Sequence, residues 1–177
     1  MGLSVSRAAP RFSNDLRYRD GEHPSQTAIT PEYVLAPVRT VFGGLINLDP
    51  CTTASNPTGA MSYYCPPQDG AELPWGWGSI FVNPPYGKAR ERWVERCIEA
   101  AGDGAKVVLL IPSATDTRIW QRAASTATQI VFVRGRLKFG VLRPNRRQVA
   151  ASHPSSLIGW NVDLKPCEHL GWRICVN

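Results

Sequence analysis

The chain has 177 residues, 43% of them hydrophobic and 19% charged, with a formal net charge of +6, enough for one domain with a proper core and short of what two need. No run approaches the roughly 20 apolar residues of a membrane helix, and the N-terminal stretch lacks the apolar segment of a signal peptide, so a cytoplasmic protein is expected. Five cysteines without a C-x-x-C pair and three scattered histidines fit neither a disulfide framework nor a zinc knuckle, and Cys167 and His169 lack the partners of a metal site, so no metal is expected.

Residues 1–29 are polar and aperiodic and read as a flexible lead-in to a single domain over 30–177. Thr30 as N-cap, Pro31 in the first turn and Glu32 beside the positive end of the dipole predict a helix over 31–42. That helix stops at Gly43-Gly44 and is weakened or kinked by Pro37. LINLD (45–49) reads as a short buried strand ending on an acid, followed by a turn-rich loop and a brief strand near 62–65. Residues 66–78 are loop by composition, and SIFVN (79–83) is the next strand. An amphipathic helix is predicted over 88–101, with Ala89, Trp93, Cys97 and Ala101 at four-residue spacing and Asp103-Gly104 ending it. KVVLLIP (106–112) is a buried strand, 115–125 a helix, and QIVFV (129–133) a strand followed by a basic turn, LKFG, and an Arg- and Pro-rich loop. SSLIGW (155–160) and WRICV (172–176) close the chain as an antiparallel edge. Strands alternating with helices imply an α/β fold, a mainly parallel sheet with helices on both faces.

The charge is unevenly placed. Between Asp116 and Arg147 lie eight basic residues, Arg118, Arg122, Arg134, Arg136, Lys138, Arg143, Arg146 and Arg147, against Asp116 as the one acid, and the rest of the chain is close to neutral. Such a segment suits a phosphate-contacting surface, and equally a solvated charged face.

The sharpest chemical signal is Asn83-Pro84-Pro85-Tyr86-Gly87 after an apolar strand. In an open parallel sheet the ligand crevice lies outside the carboxyl ends of the strands. Two prolines fix two φ angles and restrict the residues before them, which makes a stiff shelf for the Asn83 side chain and nearby carbonyls. Methylating an aromatic amine needs such a shelf, because the nitrogen lone pair is delocalised into the ring. Acceptors such as the Asn83 carboxamide oxygen and the Pro84 carbonyl draw the amine hydrogens and localise the pair. The Tyr86 ring stacks on the extruded base, and alignment of the methyl group with the nitrogen supplies much of the rate. Asp49 is placed at the crevice by its position at a strand end, where it serves a cofactor or caps a turn; Asp69-Gly70 alone reads as a turn. The glycine-rich nucleotide fingerprint is absent.

An ordered set of segments resembles the phage-type DNA N-6-adenine methyltransferases, the small Dam-like enzymes of bacteriophages and prophages. They are TPEYVLAPV (30–38), LDPCTT (48–53), Cys65 with Asp69-Gly70 and Trp75, IFVNPPYG (80–87), Trp93-Val94, LLIPSATDTRIW (109–120), RGRLKFG (134–140) and HPSSLIGW (153–160). The resemblance implies a Rossmann-like class I methyltransferase fold, S-adenosylmethionine as methyl donor, duplex DNA as substrate and a bacterial or phage-infected cell. By position it makes Asn83, Pro84, Pro85 and Tyr86 the catalytic shelf. Asp49 and Pro50 fall in the cofactor pocket with Asp69 as neighbour, and Thr30-Pro31 opens a helix near the methionine end of the cofactor. Asp116, Arg118 and Arg134-Gly135-Arg136 fall in family-like motifs, as phosphate contacts or as ion pairs bracing the site. With little chain left for a recognition domain, Val141–His153 is the expected base-reading loop. Arg118, Arg134, Arg136, Lys138, Arg143, Arg146 and Arg147 are the DNA-binding candidates. The shelf alone also serves cytosine N4, RNA or a protein amide, and a non-catalytic DNA-binding relative is the reading from a different class.

Overall fold

A computed structural model of the chain describes residues 28–85, 89–141 and 149–176. The order of elements is β1 (Ala28–Ile29), α1 (Glu32–Val41), β2 (Leu48–Asp49), β3 (Ser62–Tyr63), β4 (Ser79–Val82), α2 (Arg90–Gly102), β5 (Lys106–Pro112), α3 (Arg118–Thr126), β6 (Gln129–Val133), β7 (Lys138–Val141), β8 (Val149–Ala150), β9 (Ser155–Trp160), a 3-10 helix (Lys165–Leu170) and β10 (Gly171–Cys175).

Seven strands form one sheet in the order β10-β6-β9-β5-β4-β2-β3. β3, β2, β4 and β5 run parallel, and β6 shares their direction because both β5 and β6 pair antiparallel to β9. The apolar runs split by parity, as a strand covered on both faces requires. Val107, Leu109 and Ile111 of β5 join Ile80, Val82, Ile130 and Ile158 on one face, where Trp93, Val94 and Cys97 of α2 and Ala123 of α3 cover them. Val108 and Leu110 join Phe81, Val131 and Leu157 on the other, under Val34, Leu35 and Val38 of α1 and Cys167 and Leu170 of the 3-10 helix. The expected α/β sheet with helices on both faces is therefore observed.

Four local expectations are corrected. The N-cap of α1 is Pro31, whose carbonyl accepts from Val34 and Leu35, and no side chain caps this end; the Thr30 hydroxyl is engaged elsewhere. The strand expected over 45–49 is reduced to Leu48–Asp49; just before it the Asn47 side chain accepts from the Ser79 N–H at 2.9 Å, while the Asn47 backbone N–H donates to the Ser79 carbonyl and its carbonyl accepts from Ser62. LKFG is a strand rather than a turn: β7 pairs with β1 and β8 in a second, antiparallel sheet. The two closing strands do not form an edge together, since β9 is inserted between β5 and β6 and β10 alone flanks β6. Pro37 lies buried inside α1, which continues past it to Val41; Phe42 is the C-cap, and Gly43 follows in the left-handed region.

The chain reverses direction across the sheet at β2. From β2 it moves outward to β3, then returns to β4 on the other side of β2 and proceeds to β5. The carboxyl ends of β2 and β4 thus flank a topological switch point, the place where an open α/β sheet leaves a crevice.

Candidate active site

Both strand ends at the switch point carry a residue singled out from sequence, Asp49 on β2 and Asn83 just past β4. Leu48 pairs with Ile80 in parallel register, so both segments emerge on the same side. Asn83 is half-buried and Pro84 buried. The Asn83 Nδ2 donates to the Thr30 Oγ1 at 3.0 Å, and Thr30 is itself buried. With the amide nitrogen committed to Thr30, the carboxamide oxygen is the atom left to accept a hydrogen bond from a ligand. Thr30 is held in turn from behind: Ala28 and Ile29 pair with Val141 and Gly140 of β7. The second sheet thereby ties the basic segment to the shelf.

Asp49 is 3% exposed. Its Oδ1 accepts from the Cys51 N–H at 3.1 Å and its Oδ2 from the Thr58 hydroxyl at 2.9 Å. Burial pushes its carboxyl from 3.8 up to about 6, and the hydrogen bonds from Cys51, Thr58 and Thr52 pull the other way without offsetting it. All its partners are neutral, and it has no ion pair among the described residues. A buried carboxylate of this kind suits a ligand that brings positive charge.

Cys51 lies between the two. Burial and then the Asp49 charge push its thiol well above the ordinary range, while the Asn83 backbone N–H facing the sulfur opposes the rise. The thiol is neutral at physiological pH and links the β2 loop to the shelf by contact rather than by reactivity. No sequence signal separated Cys51, Thr52 and Thr58 from the other polar residues of their loop.

Asp69 stands beside this loop. Its Oδ1 accepts from the Ala71 N–H at 3.1 Å, and its Oδ2 pairs with Arg92 of α2 at 2.8 Å, which also holds Glu72. Gly70 packs against the Pro50 carbonyl so closely that a Cβ there would lie 1.8 Å from the oxygen. Arg96 stacks over Trp75 at 5.2 Å from the ring centre and bonds the Leu73 carbonyl. Two arginines of α2 thus hold the 69–75 loop, whose Gly70 packs on Pro50, against the helix, a tertiary contact that spacing alone does not announce.

The basic residues gather at the same edge of the sheet. Arg118 opens α3 after the carboxyl end of β5, Arg134 and Arg136 follow β6, and Lys138 begins β7. All four are exposed. Arg118, Arg134 and Lys138 form no ion pair among the described residues, whereas the Arg136 guanidinium donates to the Ser152 carbonyl. Arg122 points back to α2 and pairs with Glu95 at 3.0 Å. Asp116 is exposed and enters no ion pair there. Between the two groups, the Ser113 and Ser156 hydroxyls meet at 2.6 Å and tie the loop after β5 to β9. Tyr86, Arg143, Arg146, Arg147 and most of the Val141–His153 loop lie outside the described residues. Among the described residues no cluster of side chains is arranged to hold a metal ion, and no helix is long and apolar enough to cross a membrane.

A model of the family described as DNA N-6-adenine-methyltransferase (Dam) matches residues 25–164, and the chain belongs to that family. The match takes in every residue of the Thr30, Asp49, Asp69 and Asn83 constellation and ends before the 3-10 helix and β10. No curated protein matches the chain.

Proposed function

We propose that this member of a methyltransferase family transfers a methyl group from S-adenosylmethionine to the exocyclic N6 amine of adenine in duplex DNA, on a Rossmann-like class I fold. The observation that carries the reading is the placement of Asp49 and Asn83 at one switch point, the first a buried carboxylate without a cationic partner among the described residues, the second a carboxamide whose nitrogen is fixed by Thr30 and whose oxygen accepts from none of the described residues. The chemistry of the donor set suits the cofactor: Asp49 is buried with neutral partners, Gly70 beside Asp69 packs on the Pro50 carbonyl, and Thr30 bonds the Asn83 amide. S-adenosylmethionine, when bound, supplies an electrophilic methyl carbon on a positively charged sulfur.

The rest falls to the chain's own residues. The Asn83 oxygen and the Pro84 carbonyl accept the two amine hydrogens, localise the lone pair and receive the growing positive charge on the nitrogen. Rigid prolines keep those acceptors in place without reorganisation, and Tyr86 supplies the ring that stacks on the extruded base. Arg118, Arg134, Arg136 and Lys138, with Arg143, Arg146 and Arg147, contact phosphates and set the register of the duplex.

The test is transfer of label from methyl-tritiated S-adenosylmethionine to unmethylated duplex DNA by native protein and by Asn83→Ala, followed by digestion to nucleosides. Label in methyladenine that disappears in the variant supports the reading. Label in cytosine keeps the shelf and changes the substrate; cofactor binding without label on any duplex transfers the search to RNA or protein amides. A protein that binds DNA and no cofactor is a non-catalytic relative.

A further inference from the structure

Beyond the family-matched residues, β10 adds a feature that the methyl-transfer chemistry does not use. Trp172 is 71% exposed, yet one face of its ring stacks on Phe132 at 5.7 Å between centres, and Phe132 in turn meets Trp120 at 5.8 Å. The three rings form a row from α3 across β6 to β10. Trp172 and Phe132 are directly opposite in the antiparallel register, which puts both at the carboxyl end of β6. Packing explains the buried end of this row; it does not explain an indole left facing water at the other.

The surroundings say what suits that face. Arg118 stands two residues before Trp120, and Arg134 two residues after Phe132, with its backbone N–H on the Leu170 carbonyl at 2.9 Å beside the start of β10. Both arginines are exposed and without an ion pair among the described residues. An aromatic platform with an exposed arginine just past the end of its central strand, and a second at the start of its helix, fits a nucleotide, whose base or sugar packs on the ring while its phosphates meet the cations. The strand order puts β10 four places from β4, about 19 Å at about 4.8 Å per spacing, which is the length of about five or six base pairs at about 3.4 Å each. A duplex with its target base on the shelf therefore reaches the row within about half a helical turn.

We infer that Trp172, backed by Phe132 and Trp120, with Arg134 just past the end of β6 and Arg118 at the start of α3, is a second contact for the substrate DNA, gripping a nucleotide outside the target base pair. The inference rests on the DNA reading proposed above. Trp172 acts in binding and touches no reacting atom.

The test uses the full chain and a short fluorescein-labelled unmethylated duplex of mixed sequence, titrated at several salt concentrations. Trp172→Ala is expected to weaken binding about tenfold, the lower part of the range for loss of one stacked ring, while Trp172→Phe keeps most of the affinity. The salt slope of Trp172→Ala stays native, because a ring displaces no counterions, whereas Arg134→Ala lowers it by about one. The thermal shift produced by S-adenosylmethionine is unchanged in all three variants. Native affinity in Trp172→Ala overturns the inference and leaves the DNA reading standing; if sedimentation then shows a lost dimer, the row is covered by a second copy. Failure of the native protein to bind duplex at any salt overturns both.

Discussion

The two ends of the same sheet edge are built from opposite materials. At β2 and β4 the polar groups are buried and locked: Asp49 at 3% exposure, Thr30 at 5%, and the Asn83 amide bonded to Thr30. At α3, β6 and β7 the charged groups are exposed, and Arg118, Arg134 and Lys138 enter no ion pair among the described residues. A buried carboxylate and a fixed carboxamide discriminate by geometry in a low dielectric. Exposed cations act by charge over a wide area and are screened by salt. On the proposed function, the β2–β4 end serves a small cationic cofactor and the reacting amine, and the β6–β7 end an extended polyanion.

The largest effect is expected at the shelf. Asn83→Ala removes one of the two proposed acceptors for the amine hydrogens and is predicted to lower kcat by about 10²–10³-fold with the Kd for duplex nearly unchanged, measured by saturating methyl transfer and by anisotropy. Next comes the clamp. Gly70→Ala forces a methyl group into the Pro50 carbonyl, so the 49–51 and 69–71 loops must part; cofactor affinity in a calorimetric titration is expected to fall at least about tenfold, with DNA binding retained. Thr30→Ala frees the Asn83 carboxamide to rotate and is predicted to lower kcat by about tenfold, while Thr30→Ser restores it. A Thr30 that only capped α1 would change melting temperature and leave kcat alone.

A subtler test uses Asp49. Its folded-state carboxyl, at about 6, stands above the unfolded value near 3.8, so between these values the native state holds the proton more tightly. The linkage therefore lowers stability as pH rises through roughly 4 to 6, by about 2–3 kcal/mol in full. Asp49→Asn removes this dependence. Relative to native, the variant's melting temperature is expected to rise between pH 4 and pH 7, on top of a constant loss from one hydrogen bond that a carboxamide cannot accept. Over the same range the native protein gains cofactor affinity as Asp49 ionises, and the variant does not. A native pH profile of stability matching that of Asp49→Asn would show that the carboxyl is ordinarily ionised and the β2 end is not specialised.

The smallest effects separate the exposed arginines. Arg134→Ala is predicted to weaken duplex binding a few-fold near physiological salt and to reduce the salt slope by about one. Arg122→Ala, although in the same basic run, should change neither, because its guanidinium is turned to Glu95 on α2. Equal salt slopes in the two variants would reduce the basic edge to a solvated surface.

The sequence is most readable where burial is uniform. Strands 106–112 and 129–133 lie where their apolar runs predict, because a strand covered on both faces has no polar register to confuse. The shelf is readable because Pro-Pro restricts the backbone whatever its tertiary surroundings. The second sheet escapes notice: its strands Ala28–Ile29 and Val149–Ala150 have two residues each, and Ala28 pairs with Val141, far along the chain. Thr30 is read as the N-cap of α1, which is Pro31, since a hydroxyl before a helix has the same sequence signature whether it caps the helix or turns to Asn83. The Gly70–Pro50 contact and the Arg92 clamp exist only between segments brought together by folding, and Trp172 is distinguished from any other strand tryptophan only by the exposure of its ring.

The most direct measurement of this division crosses the two sites. Native protein, Asp49→Asn and an Arg134→Ala/Lys138→Ala double variant are each titrated with S-adenosylmethionine by calorimetry and with unmethylated duplex by anisotropy, at pH 7 and one fixed salt concentration. The account predicts that Asp49→Asn loses cofactor affinity and keeps duplex affinity, and that the double variant does the reverse. Variants that each lose both ligands, or an Asp49→Asn protein that binds the cofactor as tightly as native, would contradict it.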